Sequence, residues 1–187
     1  MNGLVEIAII AVLVLLNAVF VAAEIALVTI RRTRVDQLVE EGSSGARRVR
    51  RLVENPARFL AVIQLGVTFI GFLAAAFAGV NLAEGLEVTL LEIPAIAPYA
   101  GAVALLTVTA ILSFVTIVFG ELVPKTLALA HPERFALVLS ALVDLVGRVL
   151  GPVVFVLTRV TEGVSRILGV RDSDQSQMST EELKLLV

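Results

Sequence analysis

A chain of 187 residues that is 58% hydrophobic and only 17% charged is too apolar for a soluble fold of its size, where about 25% of residues carry charge. A chain this short cannot hide several all-apolar helices inside its own core, so the composition points to a membrane protein. The net charge of −2 gives no pointer to nucleic acid; the lack of cysteine excludes disulfides and thiolate metal sites, and a single histidine, His131, excludes a histidine zinc cluster within one chain.

The first apolar run extends from about Leu4 to Ile30, long enough for a bilayer crossing of about 20 residues. It begins MNGLVEIAII, without the basic region of a cleaved signal peptide, and reads as a retained helix. Asn17 and Glu24 interrupt it; polar groups at such depth face protein or a water-filled cavity. Residues 33–58 then show apolar positions at helical spacing, Val35, Leu38 and Val39, followed by Val49, Leu52 and Val53. These predict two short amphipathic helices, separated by GSSG at 42–45. Eight arginines lie between Arg31 and Arg58, which by the positive-inside rule predicts a cytoplasmic segment.

Asn55-Pro56 reads as a helix start. A second span is expected from about Phe59 to Ala83, with Gln64, Thr68 and small residues including Gly66, Gly71, Ala75 and Gly79 that allow close helix contact. The next loop, about 84–98, carries Glu84, Glu87 and Glu92 and no basic residue, and is expected outside. A third span is expected from about Tyr99 to Gly120. Within it Thr109, Ser113 and Thr116 share a face; their hydroxyls either line a polar path or cap their own backbone carbonyls. Three spans put the N-terminus outside and the C-terminus in the cytoplasm.

Residues 133–168 are apolar but carry Asp144 and Arg148, four residues apart on one helical face, with Gly147, Gly151 and Pro152 weakening the helix. A bent helix lying at the cytoplasmic interface accommodates that pair better than a fourth span that buries it. The expected fold is therefore an all-α membrane protein with three transmembrane helices and a bent juxtamembrane belt helix. Residues 1–170 form the membrane domain. The polar stretch 171–187 is a linker that ends in a helix start at Ser179 or Thr180.

FGELVPKTLA at 119–128 holds the chemistry. Pro124 has no N–H and clashes with the carbonyl one turn earlier, that of Gly120. A freed carbonyl beside the Glu121 carboxylate offers two hard oxygen ligands. Hydroxyls of Thr116, Ser113 or Thr68 would extend a set suited to Na⁺ or Mg²⁺, and broken helices bind small ions in many transporters. Gly66 brings a second backbone within reach. The competing reading is a plain helix end in which Lys125 neutralises Glu121. Glu24 has the same two readings, cation ligand or partner of an arginine across the bundle. No nucleophile–base pair and no phosphate-binding loop are present, so catalysis on a soluble substrate has no support.

Three segments carry a resemblance. LLNAVFVAAEIALVTIRRTR at 15–34, NPARFLAVIQLGVTFIGFLAAAFAG at 55–79 and FGELVPKTLALAHPERFAL at 119–137 resemble, in this order, the three helices of the CorC/CNNM family transmembrane domain. STEELKLLV at 179–187 looks like the entry to the paired CBS domains that follow in that family. The resemblance implies a homodimer in a cell membrane and Mg²⁺ export coupled to Na⁺ entry. It also implies ATP sensing through CBS domains that are absent from a truncated chain. It makes Glu121 the family's ion-binding glutamate, with Pro124 and Lys125 completing the turn and Gly66 the glycine of the second helix. Many relatives carry serine where this chain reads Ala22-Ala23, leaving Thr68, Ser113 and backbone carbonyls as oxygen donors. The alternative is a dimeric membrane anchor for a cytoplasmic regulatory domain.

Overall fold

The computed structural model describes residues 3–167; the expected linker and the helix start at Ser179 or Thr180 lie outside them. Every element is helical. The first, α1 (Gly3–Thr29), is apolar all round and meets the expected first span. Beyond it α2 (Arg32–Glu40) and α3 (Ser44–Val53) are the two short amphipathic helices. The GSSG break between them has a definite mechanism. Gly42 takes φ +89°, its N–H donates to the Val39 carbonyl and that of Ser43 to Leu38, each at 3.0 Å. This glycine stop closes α2, and the Ser43 hydroxyl then accepts from the Ala46 N–H at 3.2 Å to open α3.

Asn55 caps α4 (Pro56–Leu91), its Oδ1 accepting from the Arg58 N–H at 3.3 Å, with Pro56 in the first turn. At 36 residues and 1.5 Å per residue, α4 is about 54 Å long, well beyond a hydrocarbon core of about 30 Å. It therefore absorbs much of the expected acidic loop: Glu84 and Glu87 are helical. The reason is local. Between Ala83 and Leu91 only Gly85 opposes a helix, and the first true breaker is Pro94. The remaining connection ends in a 3-10 turn, Ala97–Tyr99.

The third apolar stretch is α5 (Ala100–Val115), a π-helical segment (Thr116–Leu122) and α6 (Val123–Ala130). The expected break at Pro124 does not occur. The wider π turn takes up the proline, with the Val123 N–H donating to Val118, five residues back. The three stretches Gly3–Thr29, Pro56–Leu91 and Ala97–Ala130 are each long and apolar enough to cross a membrane, so this is a multi-pass membrane protein.

A further helix pair follows, α7 (Pro132–Val149) and α8 (Gly151–Ile167), broken at Leu150. Residues up to Val149 form one compact unit and α8 belongs to a second. Within α8, the Arg159 guanidinium lies 5.2 Å from the centre of the Phe155 ring, a cation–π contact.

In the first unit α1 is the hub, packing on α4, α6, α7 and the π segment, while α3 packs on α7. Small side chains let the helices approach closely: Ala23, Ala26, Ala128 and Ala136 are wholly buried, beside Phe20, Leu27 and Ile63. Polar links tie the short helices to α7. The Arg34 guanidinium donates to both carboxylate oxygens of Glu133, at 2.9 and 3.2 Å. That hydrogen bond holds the Glu133 carboxyl below its usual range and raises Arg34. Asp144 takes an ion pair from Arg148 on its own helix and lies 3.8 Å from Arg51 of α3. The charged pair of α7 thus sits against the arginine-rich helix.

Candidate cation site

The π turn is where the site residues converge. Its Gly120 carbonyl, which Pro124 cannot serve as donor, accepts a hydrogen bond from Asn17 Nδ2 of α1 at 3.2 Å. Asn17 is only 6% exposed, and its other amide atom, Oδ1, is buried with no hydrogen-bond partner. A buried oxygen left unpaired costs about 1–3 kcal/mol. The arrangement therefore holds one carbonyl oxygen on a donor and one amide oxygen waiting for a partner, both in the bundle interior.

Gly120 makes this approach possible. A Cβ at that position would stand 3.3 Å from Asn17 Nδ2, 3.3 Å from Thr116 Cγ2 and 3.5 Å from Val14 Cγ1. Any side chain there would press on the amide.

Glu121 follows directly in the chain but is less enclosed. Its side chain is 45% exposed and pairs with Lys125 one turn on. The neutralised helix end is thus realised in the structure, alongside the freed carbonyl. Thr116 is half-buried beside Gly120, whereas Ser113 and Thr68 are exposed and turned away from the interior. The hydroxyls of Thr68, Ser113 and Thr116 make no hydrogen bond among the described residues, so they do not cap their own carbonyls. Serine and threonine do so elsewhere in the chain, at Thr29, Thr126 and Ser140.

Gly66 serves packing. A Cβ on it would lie 2.8 Å from Cε1 of Phe20, so it admits that ring against α4. Ala22 and Ala23 are 3% and 0% exposed, their methyl groups packed within the core. Glu24 is half-buried and has neither ion pair nor hydrogen bond among the described residues; the cross-bundle arginine considered for it is not there. No cluster of three or more His, Asp or Glu side chains occurs among the described residues, so any cation held here would rely on backbone and amide oxygens with one carboxylate.

The Asn17–Gly120 link was not read from the sequence, which marked the two residues separately. The signal was present: a polar side chain deep in an apolar run must find a partner, and Pro124 had already freed a carbonyl.

Comparison with known proteins agrees with the helical plan. Residues 8–187 match the cyclin M (CNNM) transmembrane N-terminal domain. The UPF0053 protein sll0260 of Synechocystis sp. is 36% identical over 94% of this chain and 39% of its own length. The UPF0053 protein YhdT of Bacillus subtilis is 30% identical over 100% of this chain and 41% of its own. The UPF0053 inner membrane protein YfjD of Escherichia coli is 27% identical over 92% and 37%. The chain thus spans about two-fifths of the length of these relatives. The CorC/CNNM-like group is one of transporters rather than enzymes. With its three spans in place and a family match across nearly all of its length, the chain belongs to the CNNM/UPF0053 family of CorC/CNNM-type transmembrane domains.

Proposed function

We propose that this chain is the membrane domain of a divalent-cation efflux transporter that handles Mg²⁺, with Na⁺ as the coupling ion. The observation that carries the reading is the Asn17–Gly120 pair with its orphaned Oδ1. A cation at the Gly120 carbonyl would repel the Asn17 NH₂ group. Turning the amide over would bring Oδ1 to the same side, giving two neutral oxygens beside the Glu121 carboxylate. Mg²⁺ keeps several of its waters and takes one or two carboxylates, so a sparse protein set of this kind suits a hydrated ion in transit. Lys125 occupies the carboxylate in the cation-free state and is released when the ion arrives.

Vesicles reconstituted with the chain and loaded with Mg²⁺ should lose it faster than protein-free vesicles when Na⁺ is added outside. Asn17→Ala should slow that loss several-fold while the protein stays folded. A flux equal to that of protein-free vesicles would shift the weight to a dimeric membrane anchor. That second reading is favoured by the Glu121–Lys125 pair, which satisfies the carboxylate without any ion.

The orientation we propose puts the N-terminus outside, α2 and α3 in the cytoplasm, and α7 with α8 as a belt at that surface. Arginines cluster at 31–58 while Glu84, Glu87 and Glu92 mark the opposite end of α4. With single cysteines placed in turn at Ser44 and Glu87, an impermeant thiol reagent on intact cells should label only the second. Labelling of the first alone would invert the topology. A homodimer fits the uncovered Gly71 and Ala75 face of α4; no atom lies within 4 Å of a Cβ placed at Gly71.

A further inference from the structure

A cluster of arginines lies where α3 meets α7. A cleft of about 450 Å³ there is lined by Ser44, Arg47, Arg48, Arg50, Arg51 and Arg148. Five of the six are arginine, and no carboxylate lines it. Nearby acids are already engaged elsewhere: Glu54 sits 3.7 Å from Arg50, and Asp144 holds Arg51 and Arg148 from one side. Arg47 and Arg48 have no acidic partner among the described residues. The Nε of Arg48 is buried and lacks any hydrogen-bond partner. A buried guanidinium N–H without an acceptor is costly. Ser44 stands in the first turn of α3, where the helix dipole also favours negative charge.

A second cleft of about 450 Å³ shares Arg51 and Arg148 with the first. Its walls include the apolar side chains of Leu52, Phe59, Val62 and Val143, together with Arg58 and two carboxylates, Glu54 and Asp144, which are paired with Arg50 and Arg148. Apolar surface beside a guanidinium cluster has no use for a free phosphate ion. It matches a molecule with a phosphate at one end and hydrocarbon next to it. We propose that these joined clefts form a binding site for an anionic glycerophospholipid, its phosphate among Arg47, Arg48, Arg51 and Arg148 and its glycerol–acyl region along Phe59 and Val62. Five convergent guanidinium groups set this apart from the single arginines that skirt any membrane protein. The lipid would act as a wedge between α3, α4 and α7, the junction through which the arginine-rich helices attach to the bundle. The inference is independent of cation handling at Gly120.

The chain, purified in mild detergent and stripped of lipid, can be titrated with phosphatidylglycerol or phosphatidylcholine, with bound lipid counted by native mass spectrometry. Phosphatidylglycerol should bind at least tenfold more tightly. The double variant Arg47→Gln/Arg48→Gln should weaken that binding by roughly tenfold to thirtyfold, since each arginine at such a surface is worth about 1 kcal/mol. Arg31→Gln/Arg32→Gln removes the same charge from an exposed stretch outside the cleft and should leave binding within about twofold. Arg47→Gln alone, at an exposed position, gives a partial loss if the double variant fails to fold. An equal loss in both double variants would reduce the effect to net charge and overturn the site. So would equal binding of the two lipids. If inorganic phosphate at millimolar concentration displaces the lipid completely and stabilises the protein as well as the lipid does, the ligand is a soluble phosphate and the lipid assignment is wrong.

Discussion

Gly66→Leu should be among the most destabilising single substitutions in the membrane domain. Even a Cβ at this position would lie 2.8 Å from the Phe20 ring, and that ring is buried at 6% exposure among Ala23, Leu27 and Ile63. Overpacking of a filled core costs about 1–3 kcal/mol, and leucine adds three more carbons than alanine. Gly66→Ala should be milder but still destabilising. Gly71→Ala makes the comparison sharp, because nothing lies within 4 Å of its new methyl. In a helix, alanine is favoured over glycine by up to about 1 kcal/mol, so in detergent that keeps the chain monomeric the Gly71 variant should be neutral or stabilised. Melting curves in one detergent would compare the three. Equal behaviour at Gly66 and Gly71 would mean that Phe20 moves aside freely and does not fix α1 against α4.

Glu121→Gln should remove most Mg²⁺ affinity with little effect on folding. Two unit charges about 4 Å apart attract by about 4 kcal/mol at an effective dielectric near 20. The Glu121 side chain is 45% exposed, so water screens part of this, and a loss of at least about tenfold is expected. Stability should hardly change, because the partner lost is Lys125, itself 36% exposed, and such surface pairs contribute little. Glu121→Asp keeps the charge with a shorter reach and should bind at an intermediate level, since Mg²⁺ requires oxygens at about 2.1 Å in near-octahedral geometry. Lys125→Ala frees the carboxylate and should leave Mg²⁺ binding equal or stronger.

Local chemistry was legible where it is strictly local. GSSG at 42–45 foretold a stop and a restart, and the structure supplies both through Gly42 and Ser43. Asn55-Pro56 opened α4 as expected. The acidic stretch after Ala83 was misread as loop because charge was weighed above helix propensity, and α4 runs on to Leu91. Pro124 was misread as a break, since a proline's missing donor can be absorbed by a π turn when a distant group serves the carbonyl. That group, Asn17, lies 103 residues away in sequence, and no pattern near Pro124 encodes it. Facing was the least legible property. Helices α1 and α5 and the spanning part of α4 are apolar all round, so periodicity does not say that Thr68 and Ser113 point outward while Asn17 points in. In α3, by contrast, Ala46 and Val49 alternate with arginines, and the buried side follows from the spacing.

The most direct test of the cation site is calorimetric titration of Mg²⁺ into the purified chain and into Glu121→Gln, with melting curves to show that both are folded. Saturable heat in the parent, weakened at least about tenfold in the variant, is the predicted result. A folded Glu121→Gln protein that binds Mg²⁺ as the parent does would contradict it.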